Sequence, residues 1–213
     1  IGVATYFINY KTEKLDVQLG HFYEQFGNGL ILRSWEDKQL GLNNALRGGK
    51  FTFSQSNNFN ITGLYGKQRV GFDVSKGDVL GVNSEINLSN ALKLINANLN
   101  LGFSFVSRNQ EVDNSSSEFK NNTNAFSGRL NYSNNKFYSN IEIVSKSKDA
   151  LVEFGTVNSE KLNPGNTLLL NTGYSKKGFG IDITLRRLEN MSFYSDREAQ
   201  GNIFNEQLLN YLP

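Results

Sequence analysis

Apolar and polar residues alternate along much of the chain, most cleanly between Asn124 and Ser147. Phe126, Gly128, Leu130 and Tyr132 interleave with Ala125, Ser127, Arg129 and Asn131. Beyond Asn134-Asn135, Phe137, Ser139, Ile141 and Ile143 interleave with Tyr138, Asn140, Glu142 and Val144. Side chains of a strand point to opposite faces with period two, so each half predicts a strand with one apolar and one polar face. Asn tolerates positive φ, and the Asn-Asn pair predicts a tight two-residue turn of the primed type.

The same unit recurs in both directions. Val3 to Tyr10 and Leu15 to Gly20 predict a first pair of strands, Arg47 to Ser54 and Phe59 to Arg69 a second. Leu80, Val82, Ser84, Ile86 and Leu88 oppose Gly81, Asn83, Glu85 and Asn87; Ile95, Ala97, Leu99, Leu101, Phe103 and Phe105 oppose Asn96, Asn98, Asn100, Gly102 and Ser104. Leu168 to Tyr174 and Phe179 to Leu185 close the series around Lys176-Lys177-Gly178. The count is about ten strands, some of them longer than the roughly five or six residues usual in soluble domains. Short turns are expected near residues 11, 56, 91, 135 and 177, and long polar loops near 24–45, 70–77, 108–122, 148–166 and after 188. Within the first long loop a short helical or strand segment is expected near Leu30 to Trp35. Short and long connections in alternation are the habit of an up-and-down sheet that crosses a bilayer.

Composition narrows this further. There are 22 Lys and Arg against 20 Asp and Glu, so charge gives no case for nucleic acid. The chain has no cysteine, which removes disulfides, thiolate catalysis and Cys-ligated zinc. No apolar run reaches the roughly 18 residues of a membrane helix, a test to which a membrane barrel is indifferent. The polar faces carry Asn, Ser, Thr and Gly with scattered charges, a mixture that suits a hydrated lumen. Lumen-facing candidates are Asn83, Glu85, Asn98, Arg129, Glu142, Asp182 and Arg186. The fold expected is therefore all-β: an antiparallel up-and-down transmembrane β-barrel over residues 1–213, one region of a longer chain and part of a larger barrel. A soluble β-sandwich stays open beside it, and would need Leu99, Leu101, Phe103 and Phe105 to face a protein core.

Several longer stretches carry a family resemblance. These are Gly20 to Leu30 (GHFYEQFGNGL), Leu40 to Gly48 (LGLNNALRG), Leu64 to Arg69 (LYGKQR), Lys146 to Phe154 (KSKDALVEF) and Arg186 to Tyr194 (RRLENMSFY). Together they resemble an uncharacterised Bacteroidota family, a domain of unknown function expected to form outer-membrane β-barrels. The resemblance implies a longer parent chain with a signal peptide and further strands. It implies no catalytic residue.

Few residues suggest chemistry. His21 is the sole histidine, so a multi-histidine metal site is excluded, and a packed or interfacial ring is expected. Glu24, Glu36 and Asp37 fit no EF-hand spacing and are expected to pair with Arg33 or Arg47. Gly27-Asn28-Gly29 and Gly48-Gly49 read as turn or bulge glycines, since no P-loop context surrounds them. Lys67, Arg69, Arg108 and Lys146 lie at strand ends beside the long loops. They suit either a basic ring at a pore mouth, or lipopolysaccharide contact and ion pairs with acids such as Asp73, Asp149 and Glu189. Trp35, Phe193, Tyr194 and Tyr211 suit sugar stacking, loop packing or an interfacial girdle. No convergent nucleophile, base or metal cluster is legible, so no enzyme and no cofactor are expected.

The functional expectation is an integral outer-membrane barrel of a Gram-negative bacterium, porin-like or substrate-selective, in contact with outer-membrane lipid and lipopolysaccharide. An accessory barrel within a larger outer-membrane assembly is the second reading. A soluble sugar-binding sandwich is the third.

Overall fold

A computed structural model describes residues 5–56, 58–111, 120–153, 156–197 and 208–212, with the side chains of residues 150–161 excepted. Ten strands form one antiparallel sheet: β1 (Phe7–Lys11), β2 (Leu15–Phe22), β5 (Leu46–Ser56), β6 (Phe59–Val70), β7 (Asp73–Asn87), β8 (Ala97–Asn109), β9 (Asn122–Asn134), β10 (Phe137–Glu153), β11 (Thr156–Lys176) and β12 (Phe179–Glu189). Each strand pairs with its sequence neighbours in the sheet, as an up-and-down meander does. The remaining two, β3 (Glu36–Asp37) and β4 (Leu42–Asn43), form a small hairpin between β2 and β5. No α-helix occurs among the described residues.

The all-β antiparallel architecture and the ten strands match the sequence pattern. The sheet is not closed: β1 and β12 are its two edges.

Three local expectations are corrected. The loop expected near residues 70–77 is a tight turn, with Val70 opposite Asp73 and Gly71 at φ 61°. The loop expected over 148–166 is a continued hairpin, since β10 runs to Glu153 and β11 starts at Thr156. Polar composition marked these residues as loop, but ladder pairing with a neighbouring strand overrides propensity. The segment expected near Leu30 to Trp35 is neither helix nor strand; the short strands lie later, at β3 and β4. The Asn134-Asn135 turn is also built differently. Neither residue has positive φ, and Asn134 Oδ1 accepts the N–H groups of Lys136 and Phe137 at 2.9 and 2.8 Å. A side-chain acceptor has replaced the left-handed backbone as the means of turning.

Neighbouring residues separate the two faces. Ala125 and Val144 are 0% and 1% exposed, whereas Phe126 and Ile143 beside them are 56% and 58% exposed. On the outer face one cross-strand row reads Phe59, Ile86, Leu101, Leu130, Ile141, Leu170 and Leu185, apolar across all seven strands from β6 to β12. Toward the short turns this face carries neighbouring aromatic pairs, Tyr132–Phe137 and Tyr174–Phe179, with ring centroids 6.1 and 6.5 Å apart. The opposite, inner face is covered by chain from β6 to β11 away from the short turns, and is open on β12.

Candidate functional site

Two segments cover the inner face. The connection between β2 and β5 contributes Phe26, Leu30, Ile31 and Leu32, next to Phe22 at the end of β2, and the stretch after β12 contributes Met191, Phe193 and Leu209; all are buried. They pack on Leu46, Leu64, Val79, Val106, Ala125, Val144 and Leu169 of the sheet in one apolar cluster. The first segment turns on Gly27 and Gly29, at φ 55° and 82°, with the Gly29 N–H donating to Phe26 O at 2.9 Å. Gly81 makes room for it, because a Cβ there would lie 2.9 Å from the Phe26 ring. The segment is the irregular connection expected, but its Phe26, Leu30, Ile31 and Leu32 belong to the apolar core. An aperiodic run with four aromatic residues between Phe22 and Trp35 was the signal available for this.

Beside this core lies a charged row. The register aligns Glu85, Gly102, Arg129, Glu142, Leu169 and Arg186 across β7 to β12. Arg129 is buried and leans over Gly102 to reach Glu85, its Nη2 2.6 Å from Oε1. The same guanidinium donates to Asn83 Oδ1 at 2.6 Å and Ser104 Oγ at 2.7 Å, and stands 3.8 Å from Glu142 Oε1. Glu142, 0% exposed, accepts from Ser127 Oγ at 2.6 Å and from both the backbone N–H and the side-chain amide of Asn28, at 3.0 and 2.7 Å. Asn28 sits between Gly27 and Gly29, so this carboxylate ties the inserted segment to the sheet. A buried charge needs such saturation to be tolerated. Gly102 is required by the row, since a Cβ there would fall 2.7 Å from Arg129 Nε and from Glu85 Oε2. Gly102→Val is expected to cost about 1–3 kcal/mol of stability, read as a lowered denaturation midpoint. An unchanged midpoint would mean that Arg129 does not cross β8 at this point.

A second ionic cluster fastens the C-terminal segment. Asp149 Oδ1 receives Arg108 Nη2 at 2.8 Å, Arg197 Nε at 3.0 Å and Thr123 Oγ1 at 3.0 Å, and Lys146 Nζ stands 3.9 Å from Oδ2. Arg108 also donates to Tyr194 O at 2.7 Å and Lys146 to Ser192 O at 2.9 Å. Burial draws the Arg197 guanidinium below its ordinary pKa, while Asp149 opposes the shift.

Of the lumen-facing candidates, Asn83, Glu85, Arg129 and Glu142 meet in one network on the inner face. Arg186 shares their row but is exposed on edge strand β12. Asp182, also on β12, accepts the Tyr138 hydroxyl at 2.7 Å, and Asn98 binds Asn87 and Ser89 beside the 88–96 connection, which is longer than the short turn expected near residue 91. The basic candidates form no ring. Arg108 and Lys146 are buried against Asp149, whereas Lys67 is partly exposed and donates to Lys76 O at 3.1 Å, and Arg69 donates to Gly71 O at 2.6 Å. Alternation puts Lys67 on the opposite face from Gln68 and Arg108, which divides the four. Arg187 pairs with Glu189 at 2.6 Å.

The acids of the inserted segment find other partners than expected. Glu24 pairs with Lys50 at 3.1 Å, Glu36 accepts from Asn43 at 3.0 Å, and Asp37 caps the turn at Gln39 and Leu40. His21 is packed, its ring edge-on to Tyr6 at 4.9 Å. Among the described residues no group of three or more His, Cys, Asp or Glu could hold a metal ion. Sequence reasoning missed Asn28, Thr123 and Arg197 as members of these networks.

A family model described as a family of unknown function, DUF6029, matches residues 1–213. The chain belongs to that family. No curated protein and no solved structure matches it. The family membership agrees with the resemblance to an uncharacterised domain, and carries neither source organism nor cellular location. Glu153 and Phe154, which lie in one of the resembling stretches, fall outside the described side chains. The DUF6029 fold seen here is thus an antiparallel sheet with an apolar outer face and a filled inner one.

Proposed function

We propose that this DUF6029 chain is the wall of an integral outer-membrane β-barrel, with a lumen narrowed from within into a substrate-selective channel. The observation that carries the reading is the outer face. Its apolar row from Phe59 to Leu185 is uninterrupted, none of the seven side chains is buried and Leu130 and Leu185 are exposed, while the buried inner face holds Arg129, Glu142, Arg108 and Asp149. A soluble sheet would bury that row and hydrate the charges, whereas a barrel in lipid turns apolar residues outward and polar residues inward. The Tyr132–Phe137 and Tyr174–Phe179 pairs beside the turns suit the aromatic girdle of a bilayer interface. Strands of 13 to 21 residues from β8 to β11 exceed the roughly 9–11 needed to span hydrocarbon. Further strands joining β1 and β12 would complete the wall, since a sheet edge exposed to lipid leaves backbone groups unsatisfied.

The filling favours selectivity over a wide passive pore, because Phe26, Leu30 and Phe193 occupy space that a porin leaves to water. The same filling supports a second reading, an accessory barrel in a larger outer-membrane assembly, for which conductance would be absent. Membrane fractionation of the full-length protein tests the shared part. Extraction only with detergent, and a heat-induced change in gel mobility, are the expected results. Release into buffer without detergent would sink the membrane reading. Single-channel recording of the extracted protein then separates channel from accessory barrel.

A further inference from the structure

Where the inserted segment meets the C-terminal segment, the packing leaves a cavity of about 790 Å³ lined by Arg33, Trp35, Asn44, Tyr194, Asn210 and Tyr211, among others. The two segments are stitched together beneath it. Arg33 N–H donates to Leu209 O at 2.6 Å, Tyr211 N–H to Gly29 O at 2.8 Å, and the Asn210 amide to Leu30 O and Met191 O at 3.0 and 2.7 Å. The wall is therefore built, and its shape does not depend on a single mobile side chain.

The unusual member is Arg33. Its guanidinium carbon lies 5.2 Å from the centre of the Trp35 ring and 4.5 Å from that of Tyr211, so two aromatic faces hold it. Glu24, Glu85, Glu142 and Asp149 pair with other bases, and among the described residues no carboxylate lies within ion-pair distance of Arg33. Aromatic stacking orients a guanidinium while leaving its N–H edges free for a planar, two-oxygen acceptor. Around it the cavity offers what a sugar needs. Trp35, Tyr194 and Tyr211 supply ring faces for C–H surfaces, and Asn44 and Ser192 supply amide and hydroxyl groups.

We infer that this cavity is a binding site for a carboxylated saccharide, with Arg33 gripping the carboxylate and Trp35 and Tyr211 flanking the sugar. A volume of this size takes a di- or trisaccharide, within the roughly 300–1,000 Å³ of ordinary ligand pockets. The inference is independent of the membrane reading, because the cavity is formed by segments within the fold.

Trp35 is the only tryptophan in the chain, so its emission reports on the site directly. The full-length protein, in detergent or buffer as its extraction requires, is titrated with a galacturonic acid trimer and with the neutral galactose trimer of the same linkage. The expected result is a saturable change in emission with the acidic trimer and an affinity at least ~10-fold weaker for the neutral one, one charge-assisted pair's worth. Arg33→Gln is expected to bring both sugars to the same weak level, and Arg33→Lys to keep only part of the preference. Tyr211→Leu, at an exposed ring, should weaken both sugars without removing the preference. Equal affinities for the two trimers in the unaltered protein would overturn the proposal, as would the absence of saturation or an equal response to acetate. Those comparisons need no variant to fold. Displacement of the trimer by lipopolysaccharide would support the site with the membrane surface as the sugar's source, and failure of lipopolysaccharide to compete would support it with a free polysaccharide.

Discussion

Arg129→Ala is expected to destabilise the purified protein by about 3–5 kcal/mol. The guanidinium is the only base within ion-pair distance of Glu142 among the described residues, and Glu142 is 0% exposed. Removing the base leaves a carboxylate charged in the interior, where hydrogen bonds from Ser127 and Asn28 offset only part of its desolvation. Glu85 would be spared, because it lies at the partly exposed end of the network and water can replace Arg129 there. The loss should therefore be mended from the Glu142 side: Arg129→Met with Glu142→Gln should recover most of the midpoint, whereas Arg129→Met with Glu85→Gln should not. Thermal or denaturant unfolding of the purified protein reads all three. If Arg129→Ala shifts stability by less than about 1 kcal/mol, the row is solvated and the inner face is not sealed as described. The same variants bear on the channel reading, since Glu142 holds Asn28 of the inserted segment. A loosened segment should raise conductance where a channel exists.

How this row forms shows how far sequence patterning reaches. Period-two alternation places Glu85, Arg129 and Glu142 on one face whatever the register, so their shared side was legible. Their pairing was not. A two-residue turn at Asn134-Asn135 would set Ser133 against Lys136, and Arg129 against Asn140. The connection seen sets Ser133 against Tyr138, and Arg129 against Glu142. A shift of two residues keeps every side chain on its face and changes every partner, so a pattern of faces cannot detect it. The inserted segment is harder still. Phe22 to Trp35 has no period, and its burial follows from a tertiary fit, with Phe26 seated over the bare backbone of Gly81. Length and polarity made Asp149 to Asn166 look like a loop; the ladder between β10 and β11 carries on through two irregularities in register. The outer apolar row needed nothing beyond alternation, which is why the sidedness of the sheet was the most legible feature.

One of those irregularities leads to the second large effect. Strict alternation would put Lys146 and Asp149 on opposite faces, three residues apart. The register shift between them turns both inward, onto Arg108 and Arg197. Three bases from three parts of the chain thus converge on one carboxylate that is 5% exposed. Asp149→Ala removes the charge that lets them approach one another, and repulsion in a poorly solvated site adds to the loss of the hydrogen bonds from Thr123, Arg108 and Arg197. The expected cost is again about 3–5 kcal/mol, but its location differs from that of Arg129→Ala. The cheapest escape is for Arg197 to leave, since it belongs to the segment after β12 rather than to the sheet. Departure of that segment would uncover Phe193 and Met191, now buried in the apolar cluster. Limited trypsin digestion reads this directly, because Arg197 is a cleavage site that the folded protein keeps buried. Asp149→Ala should be cut after Arg197 at least ~10-fold faster than the unaltered protein, as local opening becomes easier by 1.4 kcal/mol or more. Arg129→Ala should open there far less, since its network touches the inserted segment at Asn28 and leaves the Asp149 cluster whole. Equal rates of cleavage in the two variants would mean that the sheet melts as one unit, and that Asp149 does not act as the fastening of the C-terminal segment.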